Sequence, residues 1–253
     1  MLFLMGCLLL GACKSAEMTS DAGATSAPAM TIEQELVAKH LEANGGMAAL
    51  QAIESVHMVG EVYMPAADMN MPMTITVKRP AMMRVDVKVP SMNMEVINAF
   101  DGETAWADNP MQGGLQKLPA DQVVRFREQA DIDGILVNHE AKGYSVEYVG
   151  EAEIKGTPTQ KLKVLRPDSS EIFVYLDAET FLQVKTESEA PNPMTGAMAK
   201  VETFMSDFRV VNGVPMPHSM EVMMDGQAFQ TITFTEITVN GEIDDAIFVY
   251  PKK

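Results

Sequence analysis

Twenty-two methionines in 253 residues are the first chemistry this chain offers. Many fall in strand-like runs, among them Met58, Met64, Met71, Met73, Met83, Met92, Met94, Met216, Met220 and Met224. A thioether is soft, unbranched and polarisable, so such a set can ligate Cu(I) or line a hollow that moulds to flexible hydrocarbon. Ordinary core packing in a methionine-rich composition is the third account. The copper account rests on Met69-Asn70-Met71-Pro72-Met73 and Ser91-Met92-Asn93-Met94, with His57-Met58 and His218 nearby in type. Alternation argues against it, because Met71 and Met73 continue one apolar face through Ile75 and Val77.

Other reactive constellations are weaker. The four histidines, His40, His57, His139 and His218, have no metal-ligand spacing. The chain carries no Gly-x-Ser-x-Gly elbow and no phosphate loop. Gln129-Ala130-Asp131-Ile132-Asp133-Gly134 followed by Glu140 partly matches an EF-hand calcium loop, but glutamine stands at the first ligand position and Val137 at the ninth. A solvated connector is the expectation there. No catalytic residue, cofactor or metal is expected.

Charge and the N-terminus narrow the class further. Asp+Glu 35 against Lys+Arg 19 gives a net charge of −16 without a basic cluster, which excludes nucleic acid as a natural partner. Leu2 to Ala12 is apolar, too short to span a bilayer, and closes on Leu10-Gly11-Ala12-Cys13. That pattern looks like a bacterial lipoprotein signal in which Cys13 is acylated, although no Lys or Arg precedes the apolar run. Cys7 fits the pattern less well. With Cys7 removed and Cys13 acylated, no thiol pair remains for a disulfide or zinc site. Lys14, rather than aspartate, after the cysteine favours an outer-membrane anchor facing the periplasm. The expected organisation is a signal over 1–12, a flexible Ser/Ala/Thr/Gly tether over 13–30, and one domain over 31–253.

The elements that must position these side chains are two short helices followed by a long run of strands. Thr31 can N-cap a helix whose stripe is Ile32, Leu36, Val37, His40 and Leu41, ended by Asn44-Gly45-Gly46. A second helix is expected over 47–53, and a third over 119–130 with Val123, Val124 and Phe126 as its apolar residues. From Val56 the period becomes two. Asp101-Gly102 signals a type I′ hairpin that brings back Trp106, the only tryptophan. Three strands precede that hairpin and seven stretches after it read as strands, over 144–150, 160–165, 171–176, 181–187, 201–211, 214–224 and 228–239. Turns at Lys155-Gly156, Asn212-Gly213 and Asp225-Gly226 join them. The class is α+β, mostly antiparallel β, with helices over one face of a strongly curved sheet.

Val77-Lys78-Arg79-Pro80 and Asp101-Gly102-Glu103-Thr104-Ala105-Trp106-Ala107-Asp108-Asn109-Pro110 resemble stretches of the periplasmic lipoprotein carrier of the Lol sorting system. Tyr175-Leu176-Asp177-Ala178-Glu179-Thr180 and Asp207 to Pro215 are similar to the wider group of outer-membrane lipoprotein-sorting proteins. The resemblance implies an unclosed half-barrel with a helical lid over its concave face, a hollow for acyl chains of lipoprotein or lipid, and lipoprotein-transport components as partners. The residues expected to line that hollow are Met71, Met73, Ile75, Val77, Met83, Val85, Met92, Met94, Trp106 and Met220. It also implies that Arg79 bonds lid backbone and holds the hollow shut. Parity agrees, since Arg79 follows Met73, Ile75 and Val77 toward the apolar face and would need acceptors there. A bulge at Pro80 would instead turn it outward. Two features depart from the family: the carrier is soluble whereas this chain looks anchored, as the receptor of the Lol system is, and that receptor's protruding apolar loop has no clear counterpart in the turn at Pro90-Ser91.

Overall fold

Alternation at period two carries most of this chain, and it builds one antiparallel sheet. The computed structural model describes residues 29–193 and 195–251. The expected signal, Cys13 and residues 13–28 of the expected tether lie outside the described residues. After α1 (Ile32–Ala43) and α2 (Gly46–Gln51) come β1 (Ser55–Met64), β2 (Met69–Lys78), β3 (Met82–Val89), β4 (Met94–Phe100), β5 (Ala105–Asn109) and β6 (Gly114–Lys117). Then follow α3 (Ala120–Gln129), β7 (Ser145–Ile154), β8 (Thr157–Leu165), β9 (Glu171–Asp177) and β10 (Gln183–Pro191). β11 (Met198–Val211), β12 (Val214–Met224) and β13 (Gln227–Val239) complete the set.

Topology explains why the barrel stays open. The order across the sheet is β6-β5-β4-β3-β2-β1-β13-β12-β11-β10-β9-β8-β7. The first and last strands pair at the centre, with Val56 opposite Val239 and Tyr63 opposite Thr231. β6 and β7 are left as unpaired edges. The chain from β6 to β7 must therefore cross from one edge to the other, and α3 lies on that crossing. The result is a curved open half-barrel with a helical lid.

Turn chemistry follows residue type. Lys155-Gly156, Asn212-Gly213 and Asp225-Gly226 hold both residues at positive φ (51° and 85°, 50° and 84°, 50° and 76°), as type I′ turns require. Asp101-Gly102 does not: only Gly102 has positive φ (98°), and the strands separate over residues 101–104. The Asp101 carboxylate accepts from the amides of Glu103 and Thr104 at 3.0 and 2.7 Å, so a side-chain-closed loop replaces the expected two-residue turn. The β1–β2, β3–β4 and β5–β6 connections repeat a different device. Each is a proline-led 3₁₀ turn (Pro65–Ala67, Pro90–Met92, Pro110–Gln112) closed by a left-handed Asp68, Asn93 or Gly113. Eight strands follow the β4–β5 hairpin rather than the seven stretches expected. The four-residue β6 is too short to show a period, and Phe181, read as strand, sits at φ 56° before β10.

The helices cover the concave side in three places. Thr31 and Gln34 form a reciprocal capping box at the start of α1. From there Leu36 packs on Leu162, Val164, Val174 and Leu176 of β8 and β9. Ile32, expected on the same stripe, is 57% exposed because it stands on the first turn, ahead of the packed face. Leu50 of α2 and Ile53 just after it join Val56, Val137 and Val214 at the centre. Phe126 and Ala130 close over Val77, Met83 and Phe100. Val124 points away from that contact and is exposed.

Trp106 overturns one expectation. Ala105, not Trp106, pairs with Phe100 and shares the concave side, so Trp106 falls on the convex face. There its Nε1 donates to the Phe248 carbonyl at 2.7 Å and its ring meets Tyr250 edge-on at 6.3 Å. It anchors the C-terminal segment and does not line the hollow.

Candidate functional site: a methionine-walled hollow under a tethered lid

The concave faces of β1–β3, β12 and β13 enclose a hollow of about 760 Å³. Register builds its wall row by row. Val62 stands opposite Met71 and Met58 opposite Ile75 across β1–β2. Ile75 stands opposite Val85 and Val77 opposite Met83 across β2–β3. On the other side Met220 faces Ile232. Seven of the expected residues line this space: Met71, Met73, Ile75, Val77, Met83, Val85 and Met220. The wall is almost wholly hydrocarbon and thioether, which gives ligands volume and dispersion contacts but few hydrogen bonds.

Three expected residues are placed elsewhere. Met92 stands 55% exposed in the turn between β3 and β4, where no strand aims it inward. Met94 packs against the same apolar cluster without lining the hollow. Trp106 lies on the opposite face, as described. The hollow also uses side chains the sequence did not single out: Met111, Val62, Ile232, Phe234 and Ile237. Phe234 and Ile237 are three residues apart and still share a face, because a bulge at Val59/Gly60 shifts the β1–β13 register between them. The strand over 228–239 is legible in the sequence; which of its residues turn inward is not.

The sheet parts His57 from the methionines that line the hollow. His57 pairs with Thr76 and its Nδ1 lies 2.8 Å from the Thr76 hydroxyl, while its neighbour Met58 faces the hollow on the other side. Among the described residues no group of three or more His, Cys, Asp or Glu could hold a metal ion.

At one end of the hollow, Arg79 follows β2 and turns inward. Its Nε donates to the Ile53 carbonyl at 2.7 Å and Nη2 to the Leu50 carbonyl at 3.1 Å. Nη1 and Nη2 also hold both Asp133 oxygens, at 3.0 and 2.5 Å. The hydrogen bond to Asp133 raises the guanidinium pKa above its ordinary value. One side chain thus joins the end of β2, the C-terminal end of α2 and the segment after α3. No outward bulge occurs at Pro80. The expected solvated connector is corrected by the same contacts, because Asp133 pairs with Arg79 and Asp131 with Lys142. These carboxylates are mostly buried (Asp133 15% exposed) and neutralised by cations. Asp133 is the residue that sequence reasoning missed here. It sits 54 positions from Arg79, beyond any local period.

Neither a family model nor a curated protein matches this sequence. Solved structures do share its fold. A DUF1329 family protein from Desulfovibrio piger superposes with TM-score 0.61 at 9% identity, over 87% of this chain and 98% of that one. A LolA superfamily protein from Nitrosomonas europaea gives TM-score 0.57 at 14% identity, over 87% and 98%. A domain assigned to outer-membrane lipoprotein sorting in Vibrio parahaemolyticus gives 0.57 at 11%, over 85% and 94%. At these identities the likeness is one of fold alone, shared over most of each chain.

Proposed function

We propose that this chain binds the acyl chains of lipoproteins or lipids in its half-barrel, for transport or sorting in the bacterial envelope and without covalent catalysis. The observation that carries the reading is the hollow itself: about 760 Å³, open at the concave side and walled by apolar side chains. A volume in this range matches ligand sites, and each methylene moved out of water contributes ~0.8 kcal/mol toward loading. Arg79 acts as the lid lock, because opening the lid must break its bonds to Leu50, Ile53 and Asp133. Acylated Cys13 and the tether through residue 30 would hold the 31–253 domain at the outer membrane, facing the periplasm, within reach of lipoprotein-transport components. The LolA-superfamily fold and the lipoprotein-sorting assignment of the Vibrio domain support this reading. N-phenyl-naphthylamine, which brightens in apolar surroundings, provides the test. Saturable binding that is displaced by oleate and lost in Ile75→Glu is expected. Equal binding by wild type and Ile75→Glu overturns the assignment of the hollow.

A further inference from the structure

One strand in the interior of the sheet has an open side. β11 has 14 residues and β10 has 9, and the two pair only over Met198 to Phe204 of β11. Beyond Phe204, β11 runs on to Val211 with β12 on one side and no strand on the other. The cause lies in the β9–β10 turn, which is held on α1. There His40 Nδ1 donates to the Phe181 carbonyl at 2.9 Å, and the Lys39 ammonium stands 5.0 Å from the centroid of the Phe181 ring. β10 starts only at Gln183, so the second half of β11 overhangs it.

Among the described residues the backbone of 205–210 has no hydrogen-bond partner besides β12. A strand with one free side presents a row of N–H and C=O groups that another extended backbone can pair. Register with β12 is unbroken, so Phe204, Phe208 and Val210 share one face of the overhang. Val210 is 72% exposed, more than any other large apolar residue described. The sheet's outer edges are better guarded. β6 has only 4 residues, and β7 carries a bulge at Tyr148/Gly150 and exposed Glu147, Glu151 and Glu153.

A cleft of about 620 Å³ lies beside the overhang, lined by Phe204 and Phe208 together with Ile154, Lys155, Asp177 and Val184. Lys155, on the β7–β8 turn, reaches across to β11 and β12: its ammonium stands 4.3 Å from the Phe204 ring centroid and pairs with Glu221. Asp207 pairs with Arg209 at 2.7 Å. Asp177 is the carboxylate left over, held by the amides of Glu179 and Thr180 and by no cation among the described residues. Asp207 also has a left-handed backbone (φ 52°). A twist and a charge pair on an open strand keep it from joining copies of itself.

We propose that this overhang is a docking site for an extended segment of a partner protein. The segment adds as a strand beside residues 205–211, sets alternate apolar side chains against Phe204, Phe208 and Val210, and brings a lysine or arginine to Asp177. Only an extended backbone matches the row of free main-chain groups, and the unpaired carboxylate sets the sign of its charge.

Main-chain bonds supply affinity in strand addition, so a generic peptide serves as the probe. Fluorescein-labelled Val-Lys-Val-Thr-Val-Lys-Val, blocked at both ends, should raise its anisotropy saturably with the full chain and slow hydrogen exchange at the amides of 205–211. Two further peptides carry N-methyl groups, one on every valine and the other on the lysines and threonine. One of the two should bind at least about tenfold more weakly, since only one set of amides faces β11. Val210→Asp should weaken binding by about tenfold, because a carboxylate would meet the peptide's apolar side chains. Val210 is exposed, and a melting curve checks that the variant folds. Oleate should leave peptide binding unchanged. Equal binding by all three peptides overturns strand addition, as does the absence of saturable binding. Slowed exchange at β6 or β7 in place of 205–211, or displacement by oleate, puts the peptide elsewhere and overturns the site.

Discussion

Changing Asp133 to asparagine keeps the volume of the side chain and removes one charge from the Arg79 pair. Arg79 then retains its bonds to the Leu50 and Ile53 carbonyls and loses the charge from a contact it holds at 3.0 and 2.5 Å. Charge-assisted hydrogen bonds contribute roughly 1.5–3 kcal/mol. The pair is still 23% and 15% exposed, so water screens part of that and the low end applies. A loss of about 1.5–2 kcal/mol corresponds to roughly a ten- to thirtyfold rise in lid opening. Arg79→Leu should cost more, about 3 kcal/mol, because it leaves Asp133 as a mostly buried charge and two carbonyls without this donor. Neither change touches a strand pairing, so the loss belongs to the lid. Hydrogen exchange should quicken at the amides of α2 and hold steady in β8, β9 and β12, and the release rate of N-phenyl-naphthylamine should rise by the same factor. Unchanged α2 exchange and release would refute the lock, and so would a loss spread evenly over the sheet.

Three further outcomes follow from residues around the hollow. Trp106 lies on the convex face, so loading the hollow should leave its emission nearly unchanged, whereas Phe248→Ala should cost about 3–4 kcal/mol by denaturant titration and shift the emission to the red. His40 is buried between α1 and Phe181, and burial lowers its pKa below 6.5 despite the opposing hydrogen bond to the Phe181 carbonyl. The unfolded chain then binds more protons just below that value, so this contribution to stability is complete above pH ~6.5 and lost as pH falls toward the folded pKa. Urea midpoints measured against pH should show that slope, flattened in His40→Gln; an identical slope in the variant would contradict the assignment. Gly60 sits at the bulge where the first and last strands pair, and a Cβ there would lie 2.1 Å from the Thr233 carbonyl oxygen. Gly60→Ala should therefore cost about 3 kcal/mol, read as a fall in melting temperature.

Strand existence was legible because alternation is local. β12 was read with its true bounds, Val214–Met224, since Asn212-Gly213 and Asp225-Gly226 punctuate both ends. Which face a strand turns inward is not local where both sides are apolar. Ala105, Trp106 and Ala107 are all buried, and Asp108 and Asn109 place one polar residue on each side of β5, so only the pairing of Ala105 with Phe100 decides it. The hollow was legible where Met71, Met73, Ile75 and Val77 alternate with polar residues. It was illegible on β13, where the bulge at Gly60 breaks the parity that would have linked Phe234 to Ile237. Met92 failed for another reason: the Pro90–Met92 turn removes it from any strand. The inward parity of Arg79 could be read, but its partner Asp133 could not, because the pair forms only when the chain crosses from β6 to β7.

Native mass spectrometry of the Cys13→Ser chain, purified gently from the cell envelope beside its Ile75→Glu variant, tests the central claim most directly. The account predicts a co-purifying species of acyl-lipid mass that is lost on mild denaturation and absent from the variant. A bare protein, or a copper increment that survives in the variant, would contradict it.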